Sequence, residues 1–460
     1  MESVHTLLGF LVWAEPGTLC PFDLEDFDRR KREHMTSKPS GRGLSDLHLS
    51  ALIIASMIGT GVFTTSGFSL AALGTREAVV LAWICGALYA GLGAVCYGWM
   101  AGLYPESGGE YVLLGRSLHP SLGYTAGWLS ILAGFTAPIA AAAHGLEAYL
   151  QRSGSLWIGA LFILVSVALH GIKRDAGAVL QTSAVVLKLL LLVGFVLMGV
   201  GSISPSVSTT FVAETKWAQF GPTLMWISFS YSGWNAAIYL AGEQDGDASA
   251  WVRRGLIAVA LVGVFYIILN TVFVYAGPMS LLSGRPDIGM AAAKAIGGSK
   301  LAWALSLVVA LALGTSISSM MMAGPRVIAK MAEDGVFPKF LTKGGDTPYN
   351  AVMIQGVLAL MVFFASTLSS LLGYIGLTLS LCTALTALAL LWEWKKGRFR
   401  PKRPLYLLVP LVFVLTTFGM AGWMAWIKPQ QAYASLATFA FGLVAWWLHK
   451  RFVKRPDVNG

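Results

Sequence analysis

Apolar windows of roughly 20 residues, each long enough to cross a bilayer as a helix, recur about twelve times along this chain. They cover approximately 50–73, 79–103, 122–150, 156–170, 179–200, 221–241, 256–277, 301–322, 351–365, 371–391, 405–426 and 433–449. In hydrocarbon every backbone N–H and C=O must be satisfied within the protein, so windows of this length read as helices. The expectation is an all-α polytopic membrane protein. Hydrophobic residues make up 56% of the 460 and charged residues only 12%, more apolar surface than a soluble core can hide.

The first window is interrupted where a spanning helix should be most regular, at Ile58-Gly59-Thr60-Gly61-Val62-Phe63. A second interruption falls at Ser230-Tyr231-Ser232-Gly233-Trp234-Asn235. A broken helix strands backbone groups in hydrocarbon, which is tolerated where those groups line a polar cavity or meet a ligand. Two such breaks in corresponding halves of a polytopic chain are the pattern of a secondary transporter with its site at mid-membrane. The bland alternative for Gly59 and Gly61 is close helix packing, which small residues at this spacing also serve.

Lysine and arginine set the orientation. With the N-terminus cytoplasmic, 25 of the 33 fall in inside segments, seven lie outside and Lys188 sits within a span. The positive-inside rule then places both termini in the cytoplasm of a plasma (inner) membrane protein. Because the net charge of +10 concentrates in these loops, it gives no reason to expect nucleic acid. Residues 1–44 read as a cytoplasmic tail, 45–452 as the transporter domain and 453–460 as a second tail. The apolar stretch from Leu7 to Ala14 is too short, and has the wrong flank, for a signal peptide; Met35 is an alternative start. Cys20, Cys85, Cys96 and Cys382 are spaced as reduced thiols rather than a metal or disulfide framework.

Several spaced motifs together resemble the amino acid–polyamine–organocation (APC) family. The glycine-rich break at 58–63 is similar to its first helix, and Pro105-Glu106-Ser107-Gly108-Gly109-Glu110-Tyr111 to its first cytoplasmic loop. Phe229-Ser230-Tyr231-Ser232-Gly233-Trp234-Asn235 resembles the sixth-helix break of its L-type amino acid transporters. Gly324-Pro325-Arg326-Val327 and Met331 to Pro338 resemble the end of its eighth helix. The likeness spans roughly Leu44 to Arg451 and implies a LeuT-like fold, two inverted five-helix repeats plus two peripheral helices.

An α-amino acid carries a carboxylate, which suits the N–H groups of a half-helix start, and an ammonium, which suits freed carbonyls. The backbone of Ile58, Gly59, Thr60 and Gly61 is therefore assigned to the carboxylate, and carbonyls near Phe229, Ser230 and Ser232 to the ammonium. The resemblance makes Phe229 an aromatic gate, against the bland reading of a packing phenylalanine. Ser232 stands where L-type relatives carry glycine and should shrink the pocket. Gly233 and Trp234 match the family, and Asn235 is open between contacting substrate and satisfying the unwound backbone.

Lys188 lies deep in Val185-Val186-Leu187-Lys188-Leu189-Leu190-Leu191, where a charge is costly and so is functional by default. In sodium-independent APC members a fifth-helix lysine stands in for a sodium ion between helices one and eight. The resemblance thus implies coupling of Lys188 to Ser316, Ser318 and Ser319. Glu106 and Glu110 fall in the first cytoplasmic loop, either pairing with Arg326 or Arg116 or simply solvated. His144 and Glu147, one turn apart, form either a proton relay or a capped polar pair. The loop that begins at Glu243, Asp245 and Asp247 lacks the family's Asn-Pro.

No phosphate-binding Gly-Lys-Ser/Thr loop, His-Glu-x-x-His or Cys-x-x-Cys pattern is present, so neither ATP-driven pumping, a metal nor another cofactor is expected, and the chain does not read as an enzyme. The expected function is amino acid transport by alternating access, as a sodium-independent exchanger or proton symporter, with small neutral amino acids favoured. Larger neutral or cationic amino acids or polyamines are the alternative substrates, and a channel is the alternative class. Between Gln151 and Ser155 there is no cysteine, so the disulfide-linked heavy subunit of heteromeric relatives is not expected.

Overall fold

The computed structural model describes residues 53–54, 56–105, 108–151, 154–172, 190–200, 214–235, 238, 248–342 and 348–452. Among them every regular element is helical. In chain order these are α1 (Thr60–Leu73), α2 (Arg76–Leu103), α3 (Gly109–Ser117), α4 (Pro120–Leu129) and, after a π-helical segment at Ser130–Thr136, α5 (Ala137–Tyr149). There follow α6 (Trp157–Ile172), α7 (Leu190–Val200), α8 (Phe220–Ser230), α9 (Ala248–Tyr275) and the single turn α10 (Met279–Leu282). The chain ends with α11 (Ile288–Glu333), α12 (Tyr349–Ala365), α13 (Leu368–Lys395), α14 (Leu408–Ile427) and α15 (Pro429–Phe452). Seven stretches among the described residues are long and apolar enough to cross a membrane, and α6, α7 and α12 are shorter apolar helices.

Lipid tails are as apolar as leucine, so helices in a membrane gain little by hiding side chains from them and associate through close packing instead. The seam between α2 and α9 is built this way. Ala87 faces Gly263, Ala94 faces Gly255, and Gly98 and Gly102 receive Val252 and Ala248. A methyl group on Gly98 would lie 2.7 Å from the Val252 backbone nitrogen, so this approach requires glycine. At the periphery, α14 and α15 leave large apolar side chains uncovered, among them Leu415, Trp426 and Tyr433. Central α1 is almost wholly buried, in contact with α2, α5, α8, α9 and α11.

Two irregularities refine the reading of the windows. The third window is not one α-helix, because its π segment runs directly up to Pro138, whose ring in a continuous α-helix would collide with the Gly134 carbonyl. The eighth window lies inside the much longer α11, which bends at Gly297 and Gly298; Gly298 has φ +70. Cys85, Cys96 and Cys382 are free thiols, and Cys20 lies outside the described residues.

Candidate functional site

Both predicted breaks are present and they face each other. Residues 53–54 and 56–57 are helical, Ile58 and Gly59 are not, and α1 restarts at Thr60 with Gly59 as its N-cap. No side chain caps that start, which leaves the first-turn N–H groups of Thr60, Gly61 and Val62 without intrahelical acceptors. The Met57 carbonyl left by the break accepts from Gly59 N at 3.0 Å and from the Tyr266 hydroxyl at 2.7 Å. On the other side α8 ends at Ser230, and residues 231–235 form an open turn in which Gly233 adopts φ +114. Tyr231 N donates to Ile227 O (3.1 Å) and Ser232 N to Phe229 O (2.9 Å), whereas no described backbone N–H donates to the Ser230 or Ser232 carbonyl.

The two glycines of the first break do different things. A Cβ built on Gly61 would lie 2.7 Å from Ser230 Cα, so Gly61 is a packing glycine that lets α1 and α8 touch. A Cβ built on Gly59 meets nothing within 4 Å. Packing and openness, alternatives in the sequence, are thus divided between neighbours. Contact between the breaks continues through Thr65 Oγ1 and Ser230 Oγ at 3.1 Å, and through Ser56 Oγ, which lies 2.7 Å from Ile53 O and 2.8 Å from Gly233 O. Phe229, 8% exposed, packs its Cβ side toward Gly376 of α13.

Around the breaks lies a buried polar network that the sequence did not reveal. Trp83 Nε1 donates to Ser66 Oγ (2.8 Å), Ser66 Oγ to Asn270 Oδ1 (2.6 Å), and Asn270 Nδ2 to Tyr266 O (2.9 Å). Tyr231 OH donates to Trp83 O (3.1 Å), and the rings of Trp83, Tyr231 and Tyr266 pack with centroids 5.2 to 5.6 Å apart. The network ties α1, α2, α8 and α9 around both breaks. Asn270 was the available signal, a polar amide in the middle of an apolar window.

Of the proposed coupling residues, Lys188 lies outside the described residues. Ser316 and Ser319 donate to the Ala312 and Thr315 carbonyls (both 2.9 Å), and Ser318 Oγ lies 2.8 Å from His170 Nε2 of α6. The α11 helix runs beside α1, since a methyl on Gly145 would sit 3.1 Å from both Leu313 Cδ1 and Thr60 Cγ2. Above α1, Gly284 N donates to Gly67 O (2.8 Å), which lays the segment between α10 and α11 against the helix. The Asp287 carboxylate grips Arg285 there through two hydrogen bonds, 2.6 and 2.9 Å long, and pushes its guanidinium pKa up.

Two acidic residues are placed differently from a solvated loop or a relay. Glu110 begins α3 but is only 4% exposed, and its Oε1 accepts from Tyr97 OH and from Asn235 Nδ2, each at 3.0 Å. Of the two readings left open for Glu110, the solvated one does not hold: α3 turns this carboxyl inward, onto the second break. Asn235, open in the sequence between substrate and backbone, contacts this carboxyl. Glu106 lies outside the described residues, as do Glu243, Asp245 and Asp247. Glu147 is 1% exposed and caps α6, accepting from Leu156 N (2.9 Å) and Gly159 N (3.0 Å). With both carboxyl oxygens so engaged and His144 turned to Phe363 (4.5 Å), this is the capped pair rather than a relay.

Glu147→Ala would strand two buried N–H donors and release Leu156, which is held at φ +56. Losing two hydrogen bonds to a charged acceptor is expected to cost about 3 kcal/mol. Thermal unfolding in detergent reads this directly, and an unchanged midpoint would refute the capping role.

Among the described residues no three His, Cys, Asp or Glu side chains gather as metal ligands. What the geometry offers instead is polar backbone at two helix ends. Comparison with known proteins agrees with that arrangement: the amino acid permease family matches residues 44–447. The chain belongs to this family, within the APC group. A methylthioribose transporter of Bacillus subtilis (strain 168) is 25% identical over 456 residues, covering 90% of this chain and 95% of its own. Large neutral amino acids transporter small subunit 2 of Oryctolagus cuniculus is 23% identical over 87% of this chain and 79% of its own. Asc-type amino acid transporter 1 of Mus musculus is 23% identical over 79% and 73%. This permease is therefore a multi-pass membrane transporter, not an enzyme.

Proposed function

We propose that this permease is a secondary carrier of small neutral amino acids, working by alternating access across a plasma (inner) membrane with both termini cytoplasmic. The observation that carries this reading is the uncapped start of α1 beside the unwound end of α8. The N–H groups at Thr60 and Gly61, with the backbone of Ile58 and Gly59 at the break, suit a carboxylate, and the Ser230 and Ser232 carbonyls suit an ammonium. Phe229 gates the pair, Ser232 narrows it and Gly233 gives the break its turn. Twelve spans, two inverted five-helix repeats and a transporter domain over 45–452 complete the reading. No cysteine occurs in 151–155, so the carrier works without a disulfide-linked heavy subunit, unlike an assembly that a name such as small subunit describes.

Uptake into proteoliposomes of labelled alanine, serine, threonine, leucine and arginine tests this, with and without internal amino acid and with an inward proton gradient. Saturable uptake of the first three supports the reading. Dependence on internal substrate means exchange, and uptake driven by the gradient alone means proton symport. Preference for leucine, arginine or polyamines would move the substrate to the larger or cationic class, and non-saturable flux would mean a channel. A second reading has its own support, because one relative matched over nearly its whole length is a methylthioribose transporter. That sugar has neither carboxylate nor ammonium. Competition by methylthioribose, with no amino acid taken up, would decide for it.

Sodium independence rests on Lys188, which we place between the first and eighth helices near Ser316, Ser318 and Ser319. Lys188→Ala is expected to lower uptake by at least about tenfold, the effect of removing one buried charge partner worth ~1.4 kcal/mol or more. Full transport by the variant would sink the coupling role.

A further inference from the structure

We infer that the α13–α14 connection is a binding site for the headgroup of an anionic phospholipid. Six of the nine residues from Lys395 to Arg403 are basic, and no Asp or Glu occurs from Trp394 through Pro456. Among the described residues, buried Glu393 faces this cluster, and it engages Lys396 at 3.4 Å and Arg398 at 3.6 Å. Lys396 also donates to Ser117 O (3.0 Å). Positive charge therefore remains in excess around Arg400 and Arg403.

One of these cations, Arg400, borders a shaped space. A cavity of about 330 Å³ opens beside it, lined by Trp394, Phe399, Arg400, Pro401, Pro404 and Leu407. Gly397, at φ +73, turns the chain so that Arg400 Nε donates back to the Gly397 carbonyl (3.1 Å) and the guanidinium is held at the wall. Lys395 and Lys396 stand 5.3 and 5.5 Å from the centre of the Trp392 ring. Exposed Trp392, Trp394, Leu405 and Leu408 set the loop at the depth where helices leave the hydrocarbon, the level that tryptophan favours. Orientation alone explains basic residues in this loop. It does not explain a cavity with a guanidinium on one wall and apolar side chains on the others, which fits a phosphodiester above acyl chains.

This inference uses the orientation proposed above only to say which leaflet supplies the lipid, and its test is made in mixed micelles, which have no leaflets. The full-length chain in neutral detergent is examined by native mass spectrometry with phosphatidylglycerol or phosphatidylcholine of matched chains, with inorganic phosphate as competitor. Phosphatidylglycerol is expected to be retained about tenfold more than phosphatidylcholine, from several cations each favouring it severalfold. Arg400→Gln with Lys402→Gln and Arg403→Gln is expected to erase the preference, while Lys216→Gln with Lys428→Gln, on the other side, leaves it intact. Arg400→Lys, which keeps the charge but loses the fork, is the milder second variant and should fall between. Equal retention of the two lipids, an unchanged preference in the triple variant, or displacement by equimolar phosphate would overturn the site.

Discussion

Gly61→Ala is expected to abolish transport, while Gly59→Ala, two residues away, yields a stable carrier that binds its substrate poorly. The added methyl at 61 would lie 2.7 Å from Ser230 Cα and 2.8 Å from Ser230 Cβ. Backbone cannot yield there without separating α1 from α8. Overpacking of this kind costs ~1–3 kcal/mol, and here it falls on the contact that aligns the two breaks. A loss of about a hundredfold in Vmax/KM follows, since two helix ends that must grip one small molecule tolerate little misplacement. Because the obstacle is Ser230 Cα itself, combining Gly61→Ala with Ser230→Gly should not rescue the carrier. At Gly59 the methyl meets nothing within 4 Å and φ is −121, open to alanine, so thermal stability should hold. A severalfold rise in KM is the expected result, as the methyl enters the space before the α1 N–H groups. Wild-type KM for Gly59→Ala would move the carboxylate away from α1, and an active Gly61→Ala would refute the contact.

How far the sequence reaches can be seen by following particular residues. The breaks were legible because glycine flanking a hydroxyl, in hydrocarbon, is a local contradiction that has few resolutions. The division of labour between Gly59 and Gly61 was not, since it depends on which side of α1 meets Ser230. Helix existence followed from window length alone, but the π segment needed the conjunction of Pro138 with its preceding turn, and the bend of α11 needed Gly297 and Gly298 together. Trp83 and Tyr266 read as ordinary apolar content and Tyr231 only as part of the second break, because a tryptophan N–H or tyrosine hydroxyl announces its partner only in three dimensions. Glu110 stayed open between an ion pair and a solvated loop for a related reason: only the path of α3 turns its carboxyl onto Asn235. Motif resemblance pointed to the Phe229 to Asn235 segment, where α8 ends, but said nothing of what its amide would touch.

Asn235→Ala and Glu110→Ala are each expected to lower Vmax by about tenfold or more with little change in KM, and the double variant should be no worse than the poorer single one. The reason lies in where the contact sits. Asn235 belongs to the open turn after α8, whereas Glu110 and Tyr97, which also donates to it, belong to α3 and α2. If the broken helices rock during transport, this turn moves against α2 and α3, so a hydrogen bond across that boundary holds one state of the cycle. Such a bond shifts the populations of the two states by its differential strength, ~1.5–3 kcal/mol for an amide on a buried carboxylate. Removing it alters how fast the site is presented to each side rather than how tightly the site binds. Non-additivity of ~1–3 kcal/mol in the double-mutant cycle is the signature of the direct pair. Glu110→Gln, which keeps an acceptor oxygen and loses the charge, should lie between wild type and Glu110→Ala. The opposite pattern, a raised KM at constant Vmax for Asn235→Ala with additive effects in the double variant, would place the Asn235 amide on the substrate and release Glu110 from any part in the cycle.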